Sequence, residues 1–345
     1  MNGGTTILQD EMKNTGLLLQ PLTIKNITLH NRLVMSPMEC RKTDERGLVS
    51  PEMLDYYDAR TKGGVFGLVI TEHHFVSPEG RASAKQLAVT SDDVIDSNRQ
   101  LVDLVHENGS KIFMQLGHAG MVAKPLDGEG IPLGPTGGDI PSPLGGTLHV
   151  TQASVDDIHR ITNAFTEGAV RAKEAGFDGV DIHAAHGYLL SEFFSPITNH
   201  RQDKYGGSLE NRLRFDLEVL RAIRSAVGDD FIISIRFGVD YNEFGNTLDV
   251  VEHTSKLLVE AGADVLNVSM GMGGGDRMKL TDEDVFSDAA AIAKKSVDVP
   301  VITVGNIHTA AGAESLLKDG KADLTAIGRP VFRDAEFARN LIANA

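Results

Sequence analysis

The sequence predicts an α/β fold in the form of a closed (β/α)8 TIM barrel. Eight short apolar runs rich in β-branched residues recur along the chain, and each is followed by a longer segment with helical spacing. Such strands pair in parallel and are covered on both faces by helices. Eight units in 345 residues favour closure over the alternative, an open doubly wound sheet. The predicted strands are Leu33–Ser36, Phe66–Thr71, Lys111–Leu116, Gly179–His183, Phe231–Arg236, Val265–Val268, Val301–Val304 and Leu324–Ile327.

The segments between these runs carry the periodicity and the end signals of helices. Gly109, Gly176 and Gly262 each follow such a segment directly before a strand, where a residue without Cβ turns the chain back most easily. The predicted helices are Pro51–Lys62, Asp92–Asn108, Val155–Ala175, Ser208–Val227, Leu248–Ala261 and Thr309–Lys318.

Three segments depart from the strand–helix alternation. Residues 1–15 are polar and unpatterned, which predicts a flexible tail before a single barrel domain over residues 16–345. Leu17–Arg32 alternates apolar and polar residues around Lys25–Asn26 and predicts an N-terminal hairpin. Gly117–Val150, rich in Gly and Pro, predicts a long loop after strand 3. A substrate lid or rim and a mere insertion are equally good interpretations of that loop.

Composition narrows the class of protein and its partners. The net charge of -15 and the pI of about 5.2 argue against nucleic acid or an anionic membrane, because both would repel the chain. One cysteine, Cys40, excludes an internal disulfide and fits a reducing compartment. The sequence shows no secretory or membrane-spanning run. We therefore expect a cytoplasmic protein that acts on a small molecule.

Polar side chains cluster at the C-terminal ends of the predicted strands. In a parallel barrel those ends meet at one mouth, so residues distant in sequence can line one pocket. Strand-end turns and helix caps are the alternative explanation for many of them taken singly. The residues concerned are Pro37–Met38–Glu39, Glu72–His73–His74, Gln115, His183 to Tyr188, Arg236, Gly305–Asn306 and Gly328–Arg329.

The densest of these segments holds His183, His186 and Tyr188. A histidine pair can ligate a metal, but no HExxH pattern accompanies it, and imidazole donors also polarise a carbonyl oxygen. We predict no metal site. A tyrosine stays protonated at neutral pH and can donate a proton to a carbanion-like centre. Packing of Tyr188 on the barrel rim is the alternative.

Five ordered motifs resemble the Old Yellow Enzyme family of NADH:flavin oxidoreductases. The similarity covers nearly all of residues 17–340. A series of motifs in this order is far more specific than a lone HxxH. The motifs are Asn31-Arg-Leu-Val-Met-Ser-Pro-Met38, Gln115-Leu-Gly-His-Ala-Gly120, His183-Ala-Ala-His-Gly-Tyr188, Ser195-Pro-Ile-Thr-Asn-His-Arg201 and Tyr205-Gly-Gly-Ser-Leu-Glu-Asn-Arg212.

The resemblance implies tightly bound FMN across the barrel mouth and NADPH or NADH as the reductant. Gln115 would pair with the pyrimidine edge of the flavin, and Arg236 would place positive charge near the N1–C2 oxygen region. Ser36, Pro37 and Met38 match the segment beside the ring, although core packing also explains Met38. The expected phosphate site is Gly305, Asn306, Gly328 and Arg329.

The same resemblance implies an ene-reductase that acts on electrophilic alkenes by a ping-pong mechanism. His183 and His186 would bind the carbonyl or nitro oxygen of an α,β-unsaturated substrate, and Tyr188 would give a proton to the α-carbon. Relatives often form homodimers or homotetramers. Two alternatives remain: a flavin-binding barrel with another role, such as an NAD(P)H oxidase or sensor, and a flavin-free lyase or isomerase. The last would need a lysine base, for which Lys111 and Lys279 are poorly placed.

Three residues depart from the family pattern. Glu39 follows Pro37–Met38 where threonine or cysteine usually meets the flavin, and its carboxylate would lower the flavin potential. A one-residue slip would instead put Cys40 beside the ring. Arg41 stands near the position of a substrate-facing tyrosine and is expected to contact substrate. His73 replaces a small residue near the flavin, unless it lies in a shifted surface loop.

Overall fold

The structure is a computed structural model that describes residues 16–126, 128–141, 147–240, 245–272 and 286–345. The predicted tail 1–15 and Lys279 lie outside these residues. The described chain begins with a 3-10 turn at Leu17–Leu19 and an antiparallel hairpin of β1 (Leu22–Ile24) and β2 (Ile27–Leu29). Lys25 at its turn has φ of 50°, a conformation that tight hairpin turns require. The predicted hairpin is confirmed.

The barrel predicted from the sequence is confirmed. Eight strands, β3, β4, β7 and β11 to β15, pair in parallel, and the pairings β15–β3 and β7–β11 close the ring. Closure rules out the open sheet. The strands after the hairpin are β3 (Leu33–Met35), β4 (Leu68–Ile70), β5 (His74–Phe75), β6 (Leu87–Ala88), β7 (Lys111–Gly117), β8 (Leu133–Gly134), β9 (Gly138–Pro141), β10 (Thr147–Gln152), β11 (Gly179–Ala184), β12 (Ile232–Val239), β13 (Val265–Met270), β14 (Val301–Val304) and β15 (Leu324–Ile327).

Apolar side chains fill the N-terminal end of the barrel. Ile24, Ile27 and Leu29 of the hairpin are buried in one cluster with inward residues of the barrel strands, among them Phe113 and Ile232. The hairpin therefore closes this end of the barrel and leaves the C-terminal mouth as the end that can admit a ligand.

The helices cover the outside of the barrel, and the six predicted ones are confirmed within a few residues at their ends. Ser154 and Asp157 form a capping box at the start of α3, and Gly176 ends that helix with φ of 95°. None of the described helices is long and apolar enough to cross a membrane. The helices are α1 (Pro51–Thr61), α2 (Val94–Glu107), α3 (Val155–Ala175), α4 (Leu189–Phe194), α5 (Leu209–Val227), α6 (Val251–Glu260), α7 (Ser287–Ser296), α8 (Ala310–Lys318), α9 (Arg329–Arg333) and α10 (Phe337–Ile342).

The segment predicted as a long loop after strand 3 contains a small sheet, which corrects that expectation. Strand β10 pairs with β9 antiparallel and with β8 parallel. Arg201 fixes this sheet, because its guanidinium donates to the carbonyl oxygens of Pro135 and Ala153 at 3.1 and 2.6 Å. Residues 142–146 of the segment are outside the described chain.

Candidate active site

The C-terminal mouth of the barrel holds a cavity of about 440 Å³. This size lies within the range of small-molecule sites, roughly 300–1,000 Å³. Each of the eight barrel strands contributes residues to its wall, either from within the strand or from the segment directly after it. The wall includes every predicted site residue except Arg41: Ser36, Pro37, Met38, His73, Gln115, His183, His186, Tyr188, Arg236, Gly305, Asn306, Gly328 and Arg329.

Strand β11 and the turn after it bring His183, His186 and Tyr188 together. His183 Nε2 lies 3.1 Å from His186 Nδ1, and the rings of His183 and Tyr188 are 4.5 Å apart. Two imidazole nitrogens that converge in this way can share one acceptor atom. In the described ranges, no three His, Cys, Asp or Glu side chains are grouped as a metal site.

The turn after β11 has an uncommon backbone that aims His186 back into the mouth. His186 has φ of 61° and its N–H donates to the carbonyl of Met270 at 3.1 Å. A left-handed residue with a side chain costs of order 1 kcal/mol or more, and such residues concentrate at functional sites. Its Nε2 lies 2.9 Å from Ser269 Oγ, and Arg236 Nη2 donates a hydrogen bond to that same oxygen at 3.2 Å. Sequence reasoning missed Ser269, whose signal was its position near the end of a barrel strand.

Asp181 forms the polar floor under this cluster, and sequence reasoning assigned it no role. It is fully buried two residues before His183, so the strand's alternation turns both side chains to the barrel interior. Its carboxylate accepts from Gln115 Nε2 at 2.8 Å and from Ser234 Oγ at 2.6 Å. Burial raises the pKa of Asp181, while these donors and the Arg236 charge oppose the rise. A buried acid at an inward strand position is the signal that could have identified it.

Gln115 is oriented by this contact. Gln115 is part of the cavity wall, and its Nε2 donates to Asp181. Its Oε1 is therefore the end of the amide that remains as an acceptor. Arg236 lies on the neighbouring side of the mouth and is buried. Burial lowers the pKa of Arg236 to about 10, partly offset by Asp181, so that the guanidinium stays cationic at neutral pH.

The chain after β3 places Glu39, and not Cys40, in the cavity wall. The Cys40 thiol donates to Glu72 Oε1 at 2.9 Å, and the Cys40 N–H donates to the other oxygen at 3.1 Å. Burial raises the pKa of Glu72 to about 7. Glu39 itself accepts from Ser83 and lies 3.4 Å from Arg41 Nε. The geometry therefore favours Glu39 over Cys40 as the residue that faces the mouth.

Arg41 lies outside the cavity wall, and its side chain is 71% exposed. Its backbone φ of 58° turns the chain away after Glu39. Among the described carboxylates at the mouth, Arg41 pairs only with Glu39. A contact between Arg41 and the substrate stays a prediction. The described residues of 117–153 are likewise absent from the cavity wall, so the small sheet is not part of it.

The far side of the mouth is built from the ends of β14 and β15. Gly305 and Asn306 have φ of 135° and 48°, and Gly328 precedes α9. Arg329 Nη2 donates to Asn306 Oδ1 at 2.6 Å, which ties the two strand ends together. A Cβ at Gly328 would lie 3.1 Å from Met38 Sδ, so glycine keeps this wall open. Backbone N–H groups beside a guanidinium are suited to an anion.

Fold and cavity together define a parallel-barrel protein that binds a small molecule at its C-terminal mouth. A family model described as the NADH:flavin oxidoreductase / NADH oxidase family matches residues 17–344, and the chain belongs to that family. The family resemblance drawn from the motifs is confirmed.

Several known proteins are similar to the chain. It is 42% identical over 324 residues to an NADH oxidase of Thermoanaerobacter brockii, covering 92% of this chain and 49% of that protein. The chain thus spans about half of that relative's length. It is 37% identical over 329 residues to an NADPH dehydrogenase of Bacillus subtilis (strain 168), covering 93% of each. A solved structure of a morphinone reductase mutant with tetrahydroNAD superimposes with a TM-score of 0.79 at 26% identity, covering 96% of this chain and 92% of that one.

Family membership makes FMN the cofactor, and the residues at the mouth fit it. Gln115 Oε1 and Arg236 Nε are buried, and neither has a hydrogen-bond partner among the described residues. A buried polar atom left in this way costs about 1–3 kcal/mol, which a ligand that pairs with it removes. An acceptor and a guanidinium donor on adjoining walls match the N–H and carbonyl groups of a flavin pyrimidine ring.

We expect Gln115→Leu to weaken FMN binding about tenfold, because it removes the acceptor at the cavity floor while keeping a side chain of similar size. The measurement is the FMN dissociation constant, followed by flavin fluorescence on reconstitution of the protein. Gln152→Leu, an exposed glutamine outside the cavity wall, is the matched control. Equal affinity in both variants would exclude a Gln115 contact with the cofactor.

Glu39→Gln should raise the midpoint potential of bound FMN, because a carboxylate in the wall opposes the negative charge that the ring gains on reduction. Anaerobic dye titration measures the potential. Glu45→Gln makes the same charge change at an exposed residue outside the wall and should leave the potential unchanged. An unaltered midpoint in Glu39→Gln would show that the carboxylate does not act on the flavin.

Proposed function

We propose that the protein is an NAD(P)H-dependent FMN ene-reductase that reduces the C=C bond of α,β-unsaturated carbonyl or nitro compounds by a ping-pong mechanism. Residues 16–345 would form the single FMN-binding barrel. The observation that carries the proposal is the convergence of His183 Nε2 and His186 Nδ1, 3.1 Å apart, beside Tyr188 in one cavity wall. FMN, when bound, supplies hydride transfer from the nicotinamide to the alkene.

The histidine pair would bind the oxygen of the activating group. The two facing nitrogens are 3.1 Å apart, so in a hydrogen bond between them one donates and the other accepts. A carbonyl or nitro oxygen bound in place of that bond would accept from both rings in the tautomers that carry their protons on His183 Nε2 and His186 Nδ1. Ser269 and Arg236 support His186 from behind and hold its ring in place. Donors that strengthen as the oxygen gains negative charge withdraw electrons from the alkene and lower the barrier.

Tyr188 would give its proton to the α-carbon of the substrate. The side chain is half-buried and lies against His183, the residue proposed to hold the substrate oxygen. A phenol is a weak enough acid to keep its proton at neutral pH and a strong enough one to protonate a carbanion-like carbon.

A flavin-free lyase has less support. Lys111 begins β7 at the closed end of the barrel, where its Nζ pairs with Asp178 at 3.0 Å, and so it cannot serve as a base at the mouth. An NAD(P)H oxidase remains the competing function, because a relative carries that name. We also propose that the protein forms a homodimer or a homotetramer. Its reaction partner would be a small electrophilic alkene.

Stopped-flow spectroscopy under nitrogen tests the proposed function. NADPH or NADH should bleach the oxidised flavin band, and cyclohexenone should then restore it with formation of cyclohexanone. If only oxygen restores the band, the oxidase reading replaces the ene-reductase. If neither nicotinamide bleaches it, both readings fail.

Tyr188→Phe should slow the cyclohexenone half-reaction by about 10²- to 10⁴-fold, the usual contribution of a general acid, while flavin reduction stays nearly intact. Tyr56→Phe removes a phenol outside the cavity wall and serves as the control. Equal losses in the two half-reactions of Tyr188→Phe would contradict the role of proton donor.

A further inference from the structure

His73 stands between Tyr188 and a buried glutamine, Gln86. Its Nε2 lies 3.3 Å from Tyr188 Oη, and its Nδ1 lies 2.6 Å from Gln86 Nε2. The rings of His73 and Tyr188 meet nearly edge-on, with centroids 5.4 Å apart at 70°. This places the imidazole against the phenol oxygen from a different strand end, that of β4.

The direction of every hydrogen bond in this chain follows from a backbone donor. The N–H of Ala82 can only donate, and Gln86 Oε1 accepts from it at 2.6 Å. The other end of that amide is then the NH2 group, which also donates to the His73 carbonyl at 3.3 Å. A neutral His73 must therefore accept at Nδ1 and carry its proton on Nε2.

The protonation state of His73 agrees with this assignment. Burial lowers the pKa of His73, against the opposing field of Glu39, so the ring is neutral at pH 7. A neutral ring with its proton on Nε2 has one donor, and that donor points at Tyr188 Oη.

We propose that His73 is a positioning residue for the proton donor, its Nε2–H fixed by Gln86 so that it donates to Tyr188 Oη. The bond uses a lone pair of the phenol oxygen, and the phenol's own proton is not consumed by His73. When that proton moves to the substrate carbon, the oxygen keeps the electron pair and a negative charge. The His73 N–H then stabilises this charge, and water entering the mouth returns the proton. This inference rests on the proposed function of Tyr188.

The geometry also limits what His73 does. A proton relay would need an acid or base on Nδ1, and the amide of Gln86 is neither. His73 is therefore a fixed donor that keeps its own proton through the cycle. Gln86 is only 1% exposed, so water does not compete for the hydrogen bonds of its amide.

Two substitutions of His73 distinguish the effect of its N–H donor from the effect of its side-chain shape. His73→Phe keeps a ring of similar size without an N–H, and we expect it to slow the cyclohexenone half-reaction of the holoenzyme at least about tenfold. Its solvent deuterium isotope effect should rise as proton transfer becomes limiting. His73→Gln can place an amide N–H near the position of Nε2 and should recover most of the rate. Flavin reduction by NADPH takes no proton from Tyr188, so in both variants it should slow less than the cyclohexenone half-reaction does.

The tautomer is measured without turnover. In the holoenzyme labelled with 15N-histidine, long-range proton–nitrogen spectra should show His73 neutral and protonated at Nε2, with its signals identified by their loss in His73→Phe. Gln86→Leu removes the amide that fixes the ring and should give a mixture of tautomers. A ring protonated at Nδ1, or a cationic ring, would overturn the proposal.

The outcomes also distinguish this inference from the proposed function. If wild-type protein fails to reduce cyclohexenone, the ene-reductase proposal fails, and the tautomer still tests the hydrogen-bond chain. If wild-type protein reduces it and His73→Phe does so equally fast, only the role of His73 is refuted. Equal slowing by Phe and Gln would mean that ring packing matters and the N–H does not.

Discussion

The arrangement of the mouth depends on one buried carboxylate, Asp181, inside the closed barrel. An unpaired charge in a protein interior costs several kcal/mol, so Asp181 is compatible with this position only when its oxygens are hydrogen-bonded. The register of the barrel supplies the partners, because Gln115 and Ser234 stand directly across from it on the two neighbouring strands. Closure between β7 and β11 therefore fixes the floor of the cavity, and with it the direction in which Gln115 presents its free oxygen.

The same physical logic operates twice at the mouth. Asp181 orients the amide of Gln115 from below, and the N–H of Ala82 orients the amide of Gln86 from the side. In each case a group that can only accept or only donate a hydrogen bond determines which end of a side-chain amide is the donor and which is the acceptor. The amide then passes that direction on, to the cavity in one case and to His73 in the other. Groups of this kind need no reorganisation when charge develops, which is the condition for electrostatic stabilisation of a transition state.

Much of the fold and of the cavity wall could be predicted from the sequence, because apolar strands, amphipathic helices and polar strand ends all have local signatures. The helix Leu189–Phe194 could not, since its residues are buried on every side and show no amphipathic period. The strands β8 and β9 have only two and four residues and each includes a glycine, so they do not stand out in Gly117–Val150. Gln86 was missed for another reason: its role is a side-chain contact to His73 across a loop, which no local pattern records.

The central claim is that residues at this mouth deliver a proton to one carbon of an activated alkene while the nicotinamide supplies the hydride to the other. The most direct measurement is the position of deuterium in the product of cyclohexenone reduction, read by nuclear magnetic resonance. The account predicts deuterium at the α-carbon when unlabelled NADPH is used in deuterated water, and at the β-carbon when the transferred hydrogen of the nicotinamide is deuterium in ordinary water. Deuterium from the solvent at the β-carbon of product freshly formed by a single turnover, or recovery of unreduced cyclohexenone with hydrogen peroxide as the product, would contradict it.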